Sequence, residues 1–384
     1  MKLADFGPDA PGKLVQNLNG QLAFVPEPLP GPLRLDTELV SLLNEAERGL
    51  GRVAGVAGTL PNPAIVTRAF VRREAQLSSK IENFHTSYAD LAVAGLTPAA
   101  PAERPDAVTE VLNNEAALTF ALSAIRQDGR RLNSALVRQM HAVLMRGARG
   151  ASMRPGQYRD RQVFLGAGDT IDDAAFVPPP THAVPDLMDG LDAFWEQPSD
   201  LPPLVRNAMA HYQFETIHPF LDGNGRTGRA LVLLMMCADG QLPHPTLNPS
   251  LHMERSRPEY YRRLREVSTL NKWSAWIKFF ARSVAAVSDD AIRRIEAIRQ
   301  LQAQYHARLR QRGRSALLLT LVDHLFVEQA VNIPLAAEHL GGVKFDTAAR
   351  HVATLVESGI LTEVTGRERD RVFVAEEIIR AIQS

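Results

Sequence analysis

The sequence predicts a mainly α protein in which a β-hairpin flap covers a helical core and a winged helix-turn-helix-like unit follows at the C-terminus. Apolar residues recur at helical spacing along most of the 384 residues. One segment, 156–166, instead carries β-prone residues and ends at a glycine. After residue 313, three short helical patterns precede two short apolar strands. The predicted class rests on these three observations.

We expect three parts, divided near residues 105 and 311. Residues 1–105 begin with proline-rich extended sequence and end in a Pro/Ala linker at 97–105. Residues 106–311 form the helical core, and residues 312–384 form the C-terminal unit. Hydrophobic spacing predicts that the helices of the first two parts lie at 37–50, 64–82, 108–127, 134–146, 184–196, 205–217, 230–236, 258–270 and 273–311.

The C-terminal unit is predicted to contain helices at 316–326, 333–340 and 345–357, followed by two strands that flank a charged turn at 365–371. In a DNA-binding unit of this kind, the phosphate contacts would be Lys344, Arg350, Arg367, Arg369 and Arg371. From Gly313 onwards, however, seven Lys or Arg stand against ten Asp or Glu. Because a mildly acidic unit repels phosphates, we favour a protein-contact or dimerisation module over DNA binding.

The composition is that of an ordinary globular protein, with 45% hydrophobic residues and 43 basic against 43 acidic side chains. No strong field therefore points to nucleic acid or to an anionic membrane. The single cysteine, Cys237, cannot form a disulfide within the chain, which suits a reducing cytoplasm. The N-terminus lacks a signal-peptide pattern, and no run approaches the roughly 20 apolar residues of a membrane span. We therefore expect a cytoplasmic protein without membrane contact.

The most informative segment is the motif loop, residues 218–229, which runs from a histidine through three glycines to an arginine. It leads into an apolar helix, so its N–H groups and the helix N-terminus create a site for anions. Arg226 and Arg229 can hold phosphate oxygens, and Asp222 can hold Mg²⁺. His218 is suited to take up a proton near neutral pH. The segment therefore indicates phosphate-transfer chemistry.

Two other interpretations of this segment remain open. The Asp-Gly-Asn-Gly run at 222–225 is also typical of a simple turn or helix cap, with His218 a core histidine. Alternatively, His211 and Glu215, one helical turn apart, form a zinc site with His218. Against zinc, Pro219 breaks the helix beside the third ligand, and the HExxH pattern is absent from the sequence.

The motif loop matches HPFx[DE]GNGRxxR, the signature of the Fic family, and so resembles enzymes that mostly move AMP from ATP onto a protein hydroxyl. The resemblance implies that His218 deprotonates the target hydroxyl, that Asp222 binds Mg²⁺ and that Phe220 anchors the loop. The residues implied to bind the nucleotide are Gly223, Asn224, Gly225, Arg226, Thr227, Gly228 and Arg229. Doc-type kinases of the family carry Ala-Asn-Lys in place of Gly-Asn-Gly at 223–225, which argues for AMP transfer here.

A second segment, Ser-Ser-Lys-Ile-Glu-Asn at 78–83, ends the predicted helix 64–82. It resembles the [ST]xxxE[GN] inhibitory motif of Fic proteins, with Ser78, Glu82 and Asn83 at the matching positions. The resemblance implies that Glu82 pairs with Arg229 in the place of the γ-phosphate, so that ATP binds with its α-phosphate misplaced. An exposed helix end is the other interpretation of this spacing.

Two further segments gain a role from the resemblance. The hairpin at 156–166 corresponds to the family's flap, which aligns the target peptide by β-augmentation and covers the nucleotide; its composition alone favours a surface hairpin. The flap residues implied to touch ATP or the target peptide are Val163, Phe164, Leu165 and Gly166. Downstream, Tyr260 and Tyr261 would provide an aromatic wall for adenine, or else pack within the core.

Together with the resemblance, the sequence predicts an autoinhibited protein adenylyltransferase that uses ATP and Mg²⁺. Its substrate would be a Tyr, Ser or Thr hydroxyl of a protein of unknown identity, itself included. The sequence leaves open removal of AMP by the same site, transfer of another nucleotide moiety, and a nucleotide-sensing, DNA-binding transcription regulator. It also allows a homodimer.

Overall fold

The computed structural model of the chain describes residues 1–17, 20–29, 33–60, 62–96, 104–147, 151–166, 170–311 and 316–384. The fold is mainly helical, as the sequence predicts, with one two-stranded and one three-stranded sheet within these ranges. The helices are α1 (Thr37–Gly58), α2 (Ala64–Ile81), α3 (Tyr88–Ala94), α4 (Asp106–Arg126), α5 (Ser134–Leu144), α6 (Val184–Glu196), α7 (Pro203–Ile217), α8 (Asn224–Ala238), α9 (Pro249–Arg255), α10 (Arg257–Leu270), α11 (Trp273–Gln311), α12 (Ala316–Glu328), α13 (Ile333–His339), α14 (Phe345–Glu357) and α15 (Glu376–Gln383). The strands are β1 (Gly12–Gln16), β2 (Leu22–Pro26), β3 (Ala330–Asn332), β4 (Thr362–Glu363) and β5 (Val372–Val374).

Helix α8 lies at the centre of the fold because it is apolar on nearly every side. Residues 230–236 are all buried, as expected of a helix that is surrounded by protein. Helix α7 packs against it, and Asn207 of α7 donates a hydrogen bond of 2.9 Å to the carbonyl of Val232. Trp276 of α11 is fully buried and donates to the carbonyl of Ala208 at 2.8 Å. The motif loop therefore connects two helices that are held in the core.

Helix α2 connects the N-terminal part of the chain to several other parts. It packs against α4, α8 and α9 of the core and also against α12 and α15 near the C-terminus. Three consecutive charged residues of α2, at 72–74, are buried, and each has a polar partner. Because buried charges need such partners, the position of α2 is fixed by specific contacts on several sides.

The first residues form a hairpin that the sequence interpretation missed. Strands β1 and β2 pair antiparallel, with Gly12 opposite Pro26, where only extended proline-rich sequence was expected. Residues 30–32 of that proline-rich stretch lie outside the described ranges. The predicted linker at 97–105 is described only from Arg104, and the predicted boundary at 311/312 borders residues 312–315, which also lie outside the described ranges. The domain boundaries therefore stay predictions.

The expected flap hairpin is much less regular than predicted. Residues 156–166 contain no β-strand. The segment pairs with the chain that follows it through a single antiparallel β-bridge, between Leu165 and Phe176. The physical reason is the run of prolines at 178–180, which lack the N–H groups that a ladder needs. The side-chain amide of Gln162 donates to the carbonyl of Pro178 at 2.9 Å instead. The prediction of a β-hairpin is therefore wrong at this position: two irregular segments are paired by one β-bridge.

The C-terminal unit contains, in order, helix α12, strand β3, helices α13 and α14, strands β4 and β5, and helix α15. Its strands form one antiparallel sheet in the order β3-β5-β4. The predicted three helices and two strands are present, while β3 and α15 are additions. The unit packs against α2, α3 and α11. Within the described ranges, the helices are either too short or too polar to cross a membrane.

Candidate active site

The motif loop turns sharply between α7 and α8 because two residues adopt left-handed backbone conformations. His218 ends α7 with φ 51° and ψ 59°, and Pro219 then prevents the helix from continuing. Gly223 precedes α8 with φ 77°, a conformation that suits glycine. No side chain caps the N-terminus of α8 at this position. Its first N–H groups, which have no partner within the helix, are therefore available to an anion.

Buried contacts hold the loop in shape. The side-chain amide of Asn224 accepts from the N–H of Phe220 at 2.8 Å and donates to its carbonyl at 2.9 Å. The fully buried Phe220 ring stacks on His141 with the ring centroids 3.7 Å apart. His141 Nε2 lies 2.9 Å from the carbonyl oxygen of Asp222, and its Nδ1 accepts from the N–H of Gly156. Sequence reasoning missed His141, because a lone histidine on a helix carries no signal of such a role.

His218 is arranged as a neutral base. Its Nδ1 lies 3.3 Å from the carbonyl of Glu215, and because a carbonyl only accepts, we assign the ring proton to Nδ1. Nε2 is then left as a proton acceptor. The Arg159 side chain donates to the carbonyl of His218 at 2.9 Å and so fixes the residue from the other side. Burial, followed by the charge of Arg159, lowers the pKa of His218 to about 4, so the ring is uncharged at neutral pH.

A cavity of ≈ 830 Å³ opens at the motif loop, a volume within the range of small-molecule sites. Most of the predicted site residues line it, including the flap segment 163–166. Thr227 and Gly228 do not, because they are buried one turn further along α8. The other predicted residues that line the cavity are Glu82, His218, Asp222, Gly223, Asn224, Gly225, Arg226, Arg229 and Tyr261. Residues of the wall that sequence reasoning did not propose include Phe84, Leu264, Arg265 and Ser268.

The two arginines of the motif loop are both 1% exposed but have different partners. Arg226 forms an ion pair with Glu110 of α4 and lies 3.8 Å from Asp222. Arg229 instead donates to α2: Nη2 lies 2.7 Å from the Glu82 carboxylate, and Nε lies 2.9 Å from the Ser78 hydroxyl. Burial disfavours the charge of Glu82, but Arg229 outweighs it and keeps the pKa of Glu82 below its usual value.

The Glu82 carboxylate lies directly over Gly225, the second of the three glycines in the motif loop. A Cβ atom at Gly225 would come within 2.3 Å of Glu82 Oε1 and within 2.8 Å of Arg229 Nη1. Only a glycine leaves room here for a group that presses on the helix N-terminus. Asn83 follows with φ 66° and accepts from Arg257 at 3.0 Å, which holds the end of α2 in this position. An anionic group therefore already occupies the mouth of the anion site.

Asp222 is the candidate ligand for a divalent cation. Its side chain is 34% exposed toward the cavity, and Oδ1 accepts from the N–H of Gly223 at 2.6 Å. One carboxylate beside a phosphate site is the donor set that Mg²⁺ takes in nucleotide-binding proteins. The chemistry of the residues present therefore fits Mg²⁺ together with a bound polyphosphate.

The structure does not support the zinc interpretation. His211 is fully buried, with Nδ1 3.0 Å from the carbonyl of Gly228 and Nε2 2.8 Å from the hydroxyl of Tyr260. Both ring nitrogens are therefore occupied. Among the described residues, no three His, Cys, Asp or Glu side chains come together as metal ligands.

The two adjacent tyrosines have different environments. Tyr260 is 0% exposed and packs beside Trp276 in the core, so the expectation that it touches nucleotide is corrected. Tyr261 is 43% exposed and lines the cavity. The two rings touch, with centroids 5.1 Å apart, but because successive residues of a helix are about 100° apart around its axis, only Tyr261 reaches the cavity.

Comparisons with known proteins show similarity in sequence and in fold. A model of the Fic/DOC family matches residues 131–236, and a model of the Fic/DOC family N-terminal region matches residues 40–123. The fold is similar to the crystal structure of a Fic family protein from Desulfovibrio desulfuricans G20, with a TM-score of 0.57 and 20% sequence identity. The superposition covers 90% of this chain and 98% of that protein's chain. It is also similar to a fragment of Fic-1 from Caenorhabditis elegans, with a TM-score of 0.53 and 21% identity, over 68% of this chain and 74% of the Fic-1 fragment. These two similarities concern the fold.

Two curated relatives are similar in sequence. The protein adenylyltransferase Fic of Nematostella vectensis is 26% identical over 266 residues, which are 68% of this chain and 57% of that protein. The protein adenylyltransferase fic-1 of Caenorhabditis briggsae is 30% identical over 190 residues, 48% of this chain and 33% of that protein. The chain thus spans from a third to just over half of the length of these relatives. The chain therefore resembles the Fic/DOC family over two segments, 40–123 and 131–236, and shares the fold of solved Fic proteins.

Proposed function

We propose that this chain is an autoinhibited protein adenylyltransferase, which transfers AMP from ATP to a Tyr, Ser or Thr hydroxyl of a target protein or of itself. The observation that carries the proposal is the motif loop, where His218, Asp222 and the N-terminus of α8 face one cavity. A base, a carboxylate for Mg²⁺ and an anion cradle are the parts that transfer of a phosphate group needs. Relatives that carry the name protein adenylyltransferase support the assignment.

In the proposed reaction, Nε2 of His218 takes the proton of the target hydroxyl while the hydroxyl oxygen bonds to the α-phosphorus of ATP. The bond between the α-phosphorus and the oxygen that bridges to the β-phosphate breaks, and pyrophosphate leaves with that oxygen. The N–H groups at 223–225 cradle the α- and β-phosphates, while Arg226 and Arg229 hold the β- and γ-phosphates and stabilise their charge. Asp222 would hold Mg²⁺, which neutralises part of the triphosphate charge when it is bound.

The inhibitory part of the proposal rests on Glu82. Its carboxylate is hydrogen-bonded to Arg229 and lies over Gly225, where a phosphate would otherwise bind. Two anionic groups repel each other at this distance, so ATP cannot place its γ-phosphate on Arg229 while Glu82 stays. The enzyme is therefore expected to have low activity until the end of α2 moves.

Incubation with Mg²⁺ and α-labelled ATP tests both parts. We expect Glu82→Gly to label itself and proteins of a cell lysate about tenfold or more above wild type, and Glu82→Gly/His218→Ala to lose the label. The matched control is Glu357→Gly, a change of the same type at the exposed end of α14. If Glu82→Gly carries no label on itself or on lysate proteins, AMP transfer is rejected.

A second reaction of the same site is removal of AMP from a modified protein. The observation that favours it is the Glu82 carboxylate itself, which lies in the cavity that His218 lines and is able to position water. Protein labelled by Glu82→Gly serves as the substrate. Release of labelled AMP by wild type, but not by Glu82→Gly, supports removal; no release by wild type contradicts it.

For the C-terminal unit we propose a winged helix-turn-helix. The order α12, β3, α13, α14, β4, β5 and the antiparallel pairing of the strands support this arrangement. Its role is proposed to be contact with protein, including a second copy of the chain, and the alternative is a nucleotide-sensing DNA regulator. DNA binding with a steep dependence on salt, unchanged in His218→Ala, would favour the regulator. A dimer in sedimentation that depends on residues 316–384 would favour the contact role.

A further inference from the structure

Glu215 is a half-buried carboxyl for which the proposed reaction has no use. It lies on α7, one turn before His218, and lines the same cavity. Its Oε1 atom is shielded from solvent and has no hydrogen-bond partner. Burying a carboxyl oxygen without a partner costs free energy, so a group that is kept in this state at a binding cavity calls for an explanation.

The carboxyl lies beside the phosphate end of the cavity. A Cβ atom at Gly228 would be 2.3 Å from Glu215 Oε1, so the carboxyl rests against α8 one turn beyond Gly225. The charge of Glu215 also acts on the nearby Tyr261, the aromatic residue of the cavity wall. Glu215 interacts electrostatically with Arg229 of the phosphate cradle and with Tyr261 of the aromatic wall, so its carboxyl lies near both.

A nucleotide has a donor group for a carboxyl in this position. Its ribose lies between the phosphates and the base and offers two hydroxyls. A carboxylate that accepts from ribose hydroxyls is the common way in which nucleotide-binding proteins recognise this sugar. Burial raises the pKa of Glu215 to about 7, opposed by Arg229, and a hydroxyl donor would stabilise its ionised form.

We propose that Glu215 accepts a hydrogen bond from a ribose hydroxyl of the bound nucleotide and so selects ribonucleotides over deoxyribonucleotides. The inference rests on the proposed function, because it assumes that the cavity binds ATP. It assigns a specificity role to a residue that the motif loop does not include. An alternative contact in the cavity is the nucleotide base, which the experiment separates.

The test measures equilibrium binding of ATP, 2′-deoxy-ATP and 3′-deoxy-ATP to Glu82→Gly with Mg²⁺. We expect Glu82→Gly to favour ATP over at least one deoxy analogue by about tenfold. Glu82→Gly/Glu215→Ala should lose that preference, because it weakens ATP and any analogue that keeps the contacted hydroxyl but not the analogue that lacks it. Glu82→Gly/Glu215→Gln, which keeps one acceptor oxygen and the volume, should retain part of it. The control is Asp239→Ala, a carboxyl at the other end of α8.

The outcomes separate the two proposals. If Glu215→Ala weakens ATP and both deoxy analogues equally, or leaves the preference intact, the assignment of Glu215 is overturned while nucleotide binding stands. If Glu82→Gly binds no ATP at all, the proposed function fails instead. A thermal melt of each variant confirms that it is folded before binding is compared.

A second inference rests on different contacts, which meet at Gln329. This residue is 0% exposed, and its side-chain oxygen accepts from Nη1 of Arg72 and from the hydroxyl of Tyr88, both at 3.3 Å. Its side-chain nitrogen donates to the carbonyl of Phe326 at 2.8 Å, and its own carbonyl accepts from the N–H of Ala375. One amide therefore joins α2 and α3 to the C-terminal unit.

The position of these contacts matters because they flank Glu82. Arg72 lies on α2, before Glu82, and Tyr88 begins α3, after it. The turn that carries Glu82 thus has both of its supporting helices tied to Gln329. The ion pair of Arg68 with Glu328 adds a contact between α2 and the end of α12.

We propose that the C-terminal unit sets the position of Glu82 through Gln329, so that a partner that displaces α12 relieves inhibition. The inference rests on the proposed inhibitory role of Glu82. It gives the C-terminal unit a function that requires no DNA. A movement of α12 would change α2 and α3 together, because the same amide bonds to both helices.

Self-labelling of Gln329→Ala tests this coupling. We expect a rise of about fivefold or more over wild type, abolished by His218→Ala, together with faster amide hydrogen exchange over residues 76–92. Tyr88→Phe, which removes one hydroxyl only, should show a smaller rise. Gln302→Ala breaks a 2.6 Å hydrogen bond from α11 to Asp323 of α12, but His306 of α11 still contacts Asp323 at 2.8 Å, so this variant should label like wild type.

The coupling is overturned if Gln329→Ala and Tyr88→Phe label no more than wild type while Glu82→Gly labels strongly. An equal rise in Gln302→Ala would also overturn it, because general loosening of the C-terminal unit would then explain the effect. Absence of label in Glu82→Gly would reject the proposed function rather than the coupling.

Discussion

Oε1 of Glu82 lies 2.7 Å from Nη2 of Arg229, although the two residues are 147 positions apart in the chain. Ser78, one turn earlier on α2, accepts from the same guanidinium through its hydroxyl at 2.9 Å and through its carbonyl at 3.0 Å. The last arginine of the motif loop is therefore bound by α2 at three acceptors. In the proposed enzyme, the phosphate must compete with all three.

We expect Ser78→Ala to relieve inhibition partly, because it removes one of the three acceptors and leaves the carboxylate. Self-labelling with α-labelled ATP should rank Glu82→Gly above Ser78→Ala, and Ser78→Ala above wild type. Ser79→Ala is the matched control, since Ser79 is equally buried but accepts from Asn114 instead. Labelling of Ser78→Ala at the level of Glu82→Gly would contradict the dominant role of the carboxylate.

Acid is not expected to release Glu82 in the range from pH 8 to about pH 5.5. The pKa of Glu82 is held below its usual value of 4.5, so the ion pair is fully present above that value and is lost only as the pH falls through the lowered one. The ratio of wild-type to Glu82→Gly labelling should stay constant over this range. If wild type labels nearly as strongly as Glu82→Gly at pH 6, a group other than Glu82 controls the inhibition.

His218 should show no titration between about pH 5.5 and pH 8, because burial and Arg159 lower its pKa to about 4. The ring is then already neutral at physiological pH and ready to accept a proton. Histidine NMR signals, with the His218 resonance assigned by its loss in His218→Ala, provide the measurement. A His218 signal that titrates near pH 6.5 would contradict the desolvated environment.

Gly228→Ala should destabilise the fold by about 1–3 kcal/mol, because the added methyl would overlap Glu215 Oε1 and press on Phe214. Glu215→Ala removes the carboxyl, so the double variant should recover part of the loss. Urea denaturation of the two single variants and the double variant gives the coupling energy. Strict additivity of the two changes would show that Glu215 does not lie against α8 as described.

The two tyrosines should separate stability from nucleotide binding. Tyr260→Phe removes the buried hydrogen bond to His211 and should lower the free energy of unfolding by about 1 kcal/mol without changing ATP affinity. Tyr261→Ala, at the half-exposed cavity wall, should instead weaken ATP binding to Glu82→Gly and leave stability nearly unchanged. Weaker ATP binding in Tyr260→Phe, without loss of stability, would reverse the assignment.

Local patterns predicted the parts of this molecule that depend on neighbouring residues. The helix 64–82, observed as Ala64–Ile81, follows from its own spacing of apolar residues. The start of α8 follows from glycines that precede an apolar run.

Prediction failed where contacts between residues far apart in the chain determine the structure. Hairpin β1–β2 and strand β3 are short elements with little signal of their own, and the prolines at 178–180 prevented the regular flap that the β-prone segment suggested.

The sequence by itself determined the chemistry of the motif loop and of the 78–83 segment, because both are written in contiguous residues whose spacing sets their local conformation. The tertiary structure alone decided which distant groups meet. It brought His218 beside Arg159, stacked His141 on Phe220 and left Oε1 of Glu215 without a hydrogen-bond partner. It also turned Tyr260 inward and Tyr261 outward. Such outcomes depend on how helices far apart in the chain pack against one another, and the spacing within any one helix does not contain that information.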